Sequence, residues 1–279
     1  MLPTHTVVPR GERIVSDASS VIDDLGRESD EHEQLVGQLE QTRWARGTPA
    51  AGWTIAHQIA HLAWTDRVAL LAVTDAEAFA AEAEKARVSP GTWVDEAAWE
   101  GAALAPARLL AQWRKRRAAL DRALRAAPSG TRFPWYGPPM SAVSMATGRL
   151  METWAHGQDI ADTLGVVRAP TERLRHVARI GVRARDFAFG ARGLDAPREE
   201  FRVELVAPSG NAVWTYGPRD AAQQVTGPAL DFCLLVTQRA NRADLALRAQ
   251  GPDADRWLDI AQAFAGPPGT GRLPRGAAR

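Results

Sequence analysis

The stretch that decides the fold opens the second predicted helix: residues 52–62 read Gly-Trp-Thr-Ile-Ala-His-Gln-Ile-Ala-His-Leu. Thr54 suits the N-cap of a helix because its side-chain oxygen can accept a hydrogen bond from a free backbone N–H of the first turn. Apolar residues then recur at helical spacing, at Ile55, Ile59, Leu62, Val68 and Leu71. The glycines and proline of residues 47–52 favour a loop just before this segment. The pattern predicts an amphipathic helix that buries one face in a helical bundle.

Four further segments in the first two-thirds of the chain show the same periodicity. They are a helix from Asp17 or Ser19 to about Thr42, and helices at about 106–126, 141–164 and 171–190. The prolines of residues 133–139 interrupt the helical pattern, because proline lacks the backbone N–H that a helix interior needs. The first two-thirds of the chain is therefore predicted to be helical.

The period of the hydrophobic pattern changes after residue 200. Residues 201–206 and 212–216 alternate between apolar and polar side chains, and a turn sequence lies between them, which predicts a β-hairpin. We predict that a helix at about 228–239, a short strand at 245–249 and a last helix at 253–264 follow.

These patterns predict an α+β protein with two domains. The helical bundle should occupy residues 16–190 and the small α+β domain residues 200–265, with the boundary near 190–200. We expect residues 266–279 to form a disordered tail, because they are rich in Gly, Pro and Arg.

Composition and charge exclude several classes of protein. Of the 279 residues 45% are hydrophobic and 24% charged, which is typical of folded globular proteins. The 34 Lys and Arg nearly balance the 33 Asp and Glu, and the net charge of +1 argues against nucleic-acid or anionic-membrane partners. No apolar run approaches the ~20 residues of a membrane span, and residues 1–13 lack the apolar core of a signal peptide. We therefore predict a cytoplasmic protein.

Two predicted helices carry histidines and carboxylates one helical turn apart. His57 and His61 share one face of the first helix, Glu152 and His156 share one face of the second, and Asp159 follows on the same side. Imidazole and carboxylate groups on facing helices form the metal sites of helical bundles, and a His/His/Glu set leaves one position open for water or substrate. The alternative is an interior Glu–His pair that is hydrogen-bonded without an ion.

Both motifs resemble those of a known family. Residues 52–62 resemble the Gly-Trp-Ser/Thr…His-Leu segment of the DinB-like metal-dependent superfamily, and within it the mycothiol-dependent maleylpyruvate isomerase N-terminal domain family. Residues 151–160, Met-Glu-Thr-Trp-Ala-His-Gly-Gln-Asp-Ile, are similar to the second motif of that domain, Glu-x-x-x-His-x-x-Asp. The resemblance covers roughly residues 16–166. It implies a DinB-like four-helix bundle with one divalent metal, usually zinc, held by His61, Glu152 and His156.

The chain departs from the family pattern at His57, where the isomerases commonly have an acidic residue. His57 is a candidate general base or a fourth metal ligand. It could instead contact a metal ligand without binding the metal, or be a packed core histidine. Asp159 is either an acceptor that orients a metal-bound imidazole or a solvated helix charge. The C-terminal domain of the isomerases supplies an arginine to the active site, and the candidates here are Arg239, Arg242 or another position.

Other side chains near the motifs carry weaker expectations. Trp53 is expected to act as a hydrophobic staple at the entry of its helix. Trp135 and Tyr136 either line a pocket or pack over one end of the bundle. His176 follows two arginines and is expected at the surface.

The resemblance implies an enzyme in which the metal activates a low-molecular-weight thiol such as mycothiol, or water, for isomerisation or transfer on a small electrophilic substrate. The single cysteine, Cys233, lies in an apolar run that predicts burial, which favours an external thiol over a protein thiol. The proteins that this chain most resembles are described only as metal-binding and have no settled reaction. The alternative is a non-catalytic metal- or ligand-binding module.

Overall fold

The computed structural model of the protein describes residues 18–89 and 91–277. Within these ranges, six α-helices lie between residues 18 and 164. They are α1 (Ala18–Val36), α2 (Ile55–Thr74), α3 (Ala76–Val88), α4 (Trp93–Ala102), α5 (Pro106–Ala126) and α6 (Ala142–Leu164). Helices α1, α2, α5 and α6 pack against one another as a bundle, which confirms the predicted bundle fold. Thr54 and Ser141 cap α2 and α6 as predicted, whereas Asp17 lies outside the described residues.

The remaining helices differ in part from the prediction. Helix α1 ends at Val36 rather than near Thr42, because the chain turns at Gly37 and then forms a separate 3₁₀ helix at Gln41–Ala45. The predicted helix at 171–190 is two helices, α7 (Leu174–Arg183) and α8 (Arg185–Ala191), which meet at Ala184. None of the described helices is both long and apolar enough to cross a membrane.

A mixed sheet follows the helices and confirms the predicted α+β class. A short strand pair, β1 (Arg132–Phe133) and β2 (Met140–Ser141), precedes α6. The main strands are β3 (Arg202–Val206), β4 (Val213–Tyr216), β5 (Gln224–Pro228) and β6 (Arg248–Gln250), in the order β4-β3-β5-β6. The β3–β4 pair is the predicted hairpin, while β5 pairs in parallel with β3 and was not predicted. Helices α9 (Ala229–Val236) and α10 (Pro252–Ile260) complete this part of the chain.

One apolar core joins the sheet to the bundle. It includes Trp154 of α6, Val177 of α7, Phe232 of α9 and Trp257 of α10, all buried. The helices on both sides of residue 200 therefore share a core, and the predicted domain division stays a prediction.

The structure places Cys233 and His176 in the interior. The predicted burial of Cys233 is confirmed, and burial raises the pKa of its thiol well above the usual range. The predicted surface position of His176 is wrong, because its Nε2 lies 2.9 Å from a carboxylate oxygen of Asp24 on α1 and the ring is buried.

Candidate metal centre

Three side chains from α2 and α6 meet in the bundle interior. The Nε2 atoms of His61 and His156 each lie 3.3 Å from Oε2 of Glu152. One ligand atom from each residue lies within 4.8 Å of the other two. Both histidines are buried, while the Glu152 side chain is 25% exposed. The structure therefore brings together the three residues that the resemblance implies as ligands.

The charges at this cluster fit a divalent cation. Burial, together with the charges of His61 and Arg239, lowers the pKa of His156 to about 4, so its imidazole is neutral at neutral pH. Burial raises the pKa of Glu152, but a hydrogen bond donated by a protonated Nε2 of either histidine outweighs burial and holds the pKa well below its usual range. A neutral imidazole lone pair and a carboxylate oxygen repel each other at 3.3 Å unless a proton or cation lies between them. The donor set therefore suits a metal ion.

Gln58 orients the ring of His156. The Nδ1 atom of His156 lies within hydrogen-bond distance of Oε1 of Gln58, and a carbonyl oxygen can only accept, so Nδ1 donates and the Nε2 lone pair faces Glu152. The Gln58 amide is itself held, because its Nε2 donates to Oγ1 of Thr48 at 2.8 Å. Sequence analysis missed Gln58. The signal in the sequence was a polar residue among the apolar positions of α2, and the structure shows that this residue is fully buried.

Replacing Gln58 should weaken metal binding without removing a ligand. We expect Gln58→Leu to reduce divalent-metal affinity by roughly 10–100-fold, because the imidazole loses the acceptor that fixes its tautomer. Gln58→Glu should retain most of the affinity, because a carboxylate accepts the same hydrogen bond. Gln158→Leu, at a half-buried position of α6, is the control. Equal metal affinity of the two leucine variants, measured by competition with a chelating dye, would contradict this role.

Asp159 binds two arginines that follow α9 in the chain. Its Oδ2 accepts from Nη2 of Arg239 at 2.7 Å, and its Oδ1 accepts from Nη2 of Arg272 at 2.6 Å. The residue is 2% exposed, so the alternative of a solvated helix charge is wrong. Its Oδ2 is 4.0 Å from Nδ1 of His156, the atom that Gln58 already accepts from. A direct catalytic role for Asp159 stays a prediction.

The two candidate arginines lie in different surroundings. Arg239 reaches the bundle, where its Nε donates to the backbone oxygen of Ala155 at 3.2 Å. Arg242 instead pairs with Asp255 and Asp259 of α10. Arg239 is therefore the one of the two that borders the candidate metal centre.

His57 takes part in the N-cap of α2. Its Nδ1 accepts from the backbone N–H of Thr54 at 3.2 Å, so the neutral imidazole carries its proton on Nε2. Burial lowers the pKa of His57, and its buried Nε2 has no partner among the described residues. His57 is not one of the three residues whose ligand atoms lie within 4.8 Å of one another. In this arrangement Nε2 carries the proton and can donate a hydrogen bond. Nδ1 could accept a proton only if its hydrogen bond with the Thr54 N–H broke.

Aromatic side chains surround the cluster. The Trp53 ring lies 5.3 Å from that of His61 and 5.8 Å from that of His156, nearly parallel to the latter. Trp135 and Tyr136 instead contact Phe79 of α3, as expected for residues that pack over one end of the bundle. Trp53 thus borders the candidate metal centre itself.

Comparisons with known proteins identify relatives of this chain. The model of the mycothiol maleylpyruvate isomerase N-terminal domain family matches residues 25–161, and a wyosine base formation model matches residues 197–250. Two Mycobacterium tuberculosis proteins, the uncharacterized proteins Rv0036c (strain H37Rv) and MT0041 (strain CDC 1551), are each 57% identical over 258 residues. Each alignment covers 92% of this chain and the whole relative.

Two solved structures share the fold. The crystal structure of the mycothiol-dependent maleylpyruvate isomerase is 18% identical, with a TM-score of 0.55 over 85% of this chain and 95% of that one. A mutant of that enzyme with alanine in place of a histidine is 17% identical, with the same TM-score and coverage. At this identity the match shows the fold.

Proposed function

Because the chain belongs to the mycothiol maleylpyruvate isomerase N-terminal domain family, we propose that it is a metal-dependent enzyme that activates a low-molecular-weight thiol such as mycothiol. The observation that carries the proposal is the convergence of His61, Glu152 and His156 within 4.8 Å. A divalent metal, in the first instance Zn2+, would lower the pKa of a thiol or water at its open position.

The residues of the chain hold and orient the reactants. We propose that His61, Glu152 and His156 bind the metal and that Gln58 fixes the donor nitrogen of His156. His57 offers its free Nε2–H as a donor to the bound ligand, and Asp159 acts from a distance by holding Arg239 against α6. The Glu152 side chain is 25% exposed, so the cluster is not sealed from solvent.

The proposed reaction conserves atoms and electrons. The thiol releases its proton to solvent, its sulfur forms an S–C bond to one carbon of an electrophilic double bond, and the π electrons move onto the conjugated group. In isomerisation the remaining C–C single bond rotates, the electrons return and the S–C bond breaks. In transfer the S–C bond persists and a proton is added to the neighbouring carbon. The nucleophile is external, because Cys233 is fully buried and burial raises its pKa.

Cobalt substitution tests the proposal directly. Titration of the cobalt-loaded protein with a small alkyl thiol should change the visible spectrum, because a thiolate then joins the three protein ligands. The S-methyl thioether of the same compound is the control, and we expect it to leave the spectrum nearly unchanged. A cobalt-loaded protein whose spectrum does not respond to thiol would contradict thiol activation and support a non-catalytic metal-binding module.

A further inference from the structure

Trp53 borders the candidate metal centre, and Trp99 of α4 borders His57 next to it. The Trp99 ring lies 4.6 Å from that of His57, edge to face, and Trp99 is nevertheless 58% exposed. The Trp53 ring lies over the three histidines, at 6.4 Å from His57 and closer to the other two. A half-exposed indole next to a buried imidazole offers apolar surface at the edge of the site.

The close packing of α4 on α2 positions both rings. A Cβ atom added to Gly101 would lie 2.7 Å from Cβ of Ala60, so only glycine allows this approach of the two helices. Asp95 and Trp99 are one turn apart on α4, and Asp95 accepts a hydrogen bond from Nε1 of Trp53 at 3.0 Å. The same face of α4 therefore holds the Trp53 indole through Asp95 and places the Trp99 indole against His57.

The charges around the site disfavour a dianionic substrate. The guanidinium groups of Arg239 and Arg272 both bind Asp159, and Arg272 also binds Asp162. These arginines are therefore already neutralised by carboxylates of α6. Beside Trp53, the Asp95 carboxylate adds negative charge to the rim. A substrate with two carboxylates would find no unpaired guanidinium among these residues, whereas an uncharged planar group would meet two indoles.

We propose that Trp53 and Trp99 determine specificity by stacking on a planar, uncharged group, aromatic or conjugated, that the electrophilic substrate carries. This inference rests on the proposed function, because it assigns the substrate class of the same site. The proposed substrate class, an uncharged planar compound, differs from that of an enzyme that acts on a small dicarboxylate.

Binding of two neutral ketones to the metal-loaded protein tests this inference without thiol and without turnover. The probes are 4-phenylbut-3-en-2-one, whose ring is planar, and 4-cyclohexylbut-3-en-2-one, whose ring is not. Calorimetry should show roughly tenfold tighter binding of the phenyl compound, as expected for aromatic stacking. Trp99→Leu should reduce this preference to roughly threefold, because Trp53 remains, and Trp99→Phe should restore most of it.

Phe187→Leu is the matched control, because Phe187 is an exposed aromatic residue (45%) on α8. It should leave the preference unchanged. Equal affinity of the wild-type protein for the two ketones, or an undiminished preference in Trp99→Leu, would overturn the inference. Tighter binding of maleate than of the phenyl ketone would overturn it as well. If thiol changes the cobalt spectrum while the two ketones bind equally, only the inference fails. If thiol leaves the spectrum unchanged while the phenyl ketone binds more tightly, only the proposed function fails.

Discussion

Removal of metal by a chelator should lower the midpoint of thermal unfolding of the wild-type protein by roughly 10 °C, and His156→Ala should show no such shift. A metal that binds the folded state stabilises it by about 4 kcal/mol when its free concentration exceeds the Kd about 1000-fold. For chains of this size roughly 2–4 °C of midpoint correspond to each kcal/mol. His156→Ala removes one of the three converging ligands, so it should hold far less than one metal per chain by elemental analysis.

His176→Ala is the control for a buried histidine outside the cluster. It should lose stability, because Asp24 loses a partner, but it should keep its metal and its response to chelator. One metal per chain in the His156→Ala variant would contradict the assignment of His156 as a ligand. A wild-type protein that contains metal but does not respond to its removal would contradict binding at a site formed by folding.

Asp159→Asn should lower the free energy of unfolding by about 3–5 kcal/mol, because it leaves Arg239 and Arg272 beside a neutral amide in a nearly solvent-free position. Metal affinity should change by less than about tenfold, because Gln58 and not Asp159 accepts from Nδ1 of His156. Denaturant unfolding and metal competition measure the two effects separately.

Asp162→Asn provides the matched control for this prediction. Asp162 also binds Arg272, but its side chain is 29% exposed, so its loss should cost no more than about 1 kcal/mol. The result that would overturn the assignment is a large loss of metal affinity in Asp159→Asn with nearly unchanged stability. Asp159 would then orient His156 rather than hold the two arginines.

Sequence patterns predicted the helices that bury a periodic apolar face. Helix α5 begins and ends at the predicted residues, and α2 and α6 begin directly after the predicted caps. Helices α3 and α4 were missed because they bury little: Phe79 and Glu82 in α3, and Ala98 in α4. Such surface helices leave a weak hydrophobic period.

The same limit applies to the candidate site. Residues one turn apart on a helix are neighbours whatever the tertiary fold, so the pairing of Glu152 with His156 was visible in the sequence. The contact of Gln58 with His156 joins residues 98 positions apart, and that of Arg272 with Asp159 spans 113. Contacts of this kind depend on how the helices pack, which local spacing does not specify.

Asp159 binds arginines that are synthesised much later than the candidate metal ligands, which affects the order of folding during translation. All three candidate ligands have been synthesised by residue 156, whereas the arginines that bind Asp159 follow it by 80 and 113 residues. Domains generally fold from the N-terminus during synthesis, and metal binding is coupled to folding. We therefore expect the three candidate ligands to be available early in synthesis, and the proposed site to become stable only once the core around Trp154 and the arginines that bind Asp159 are in place.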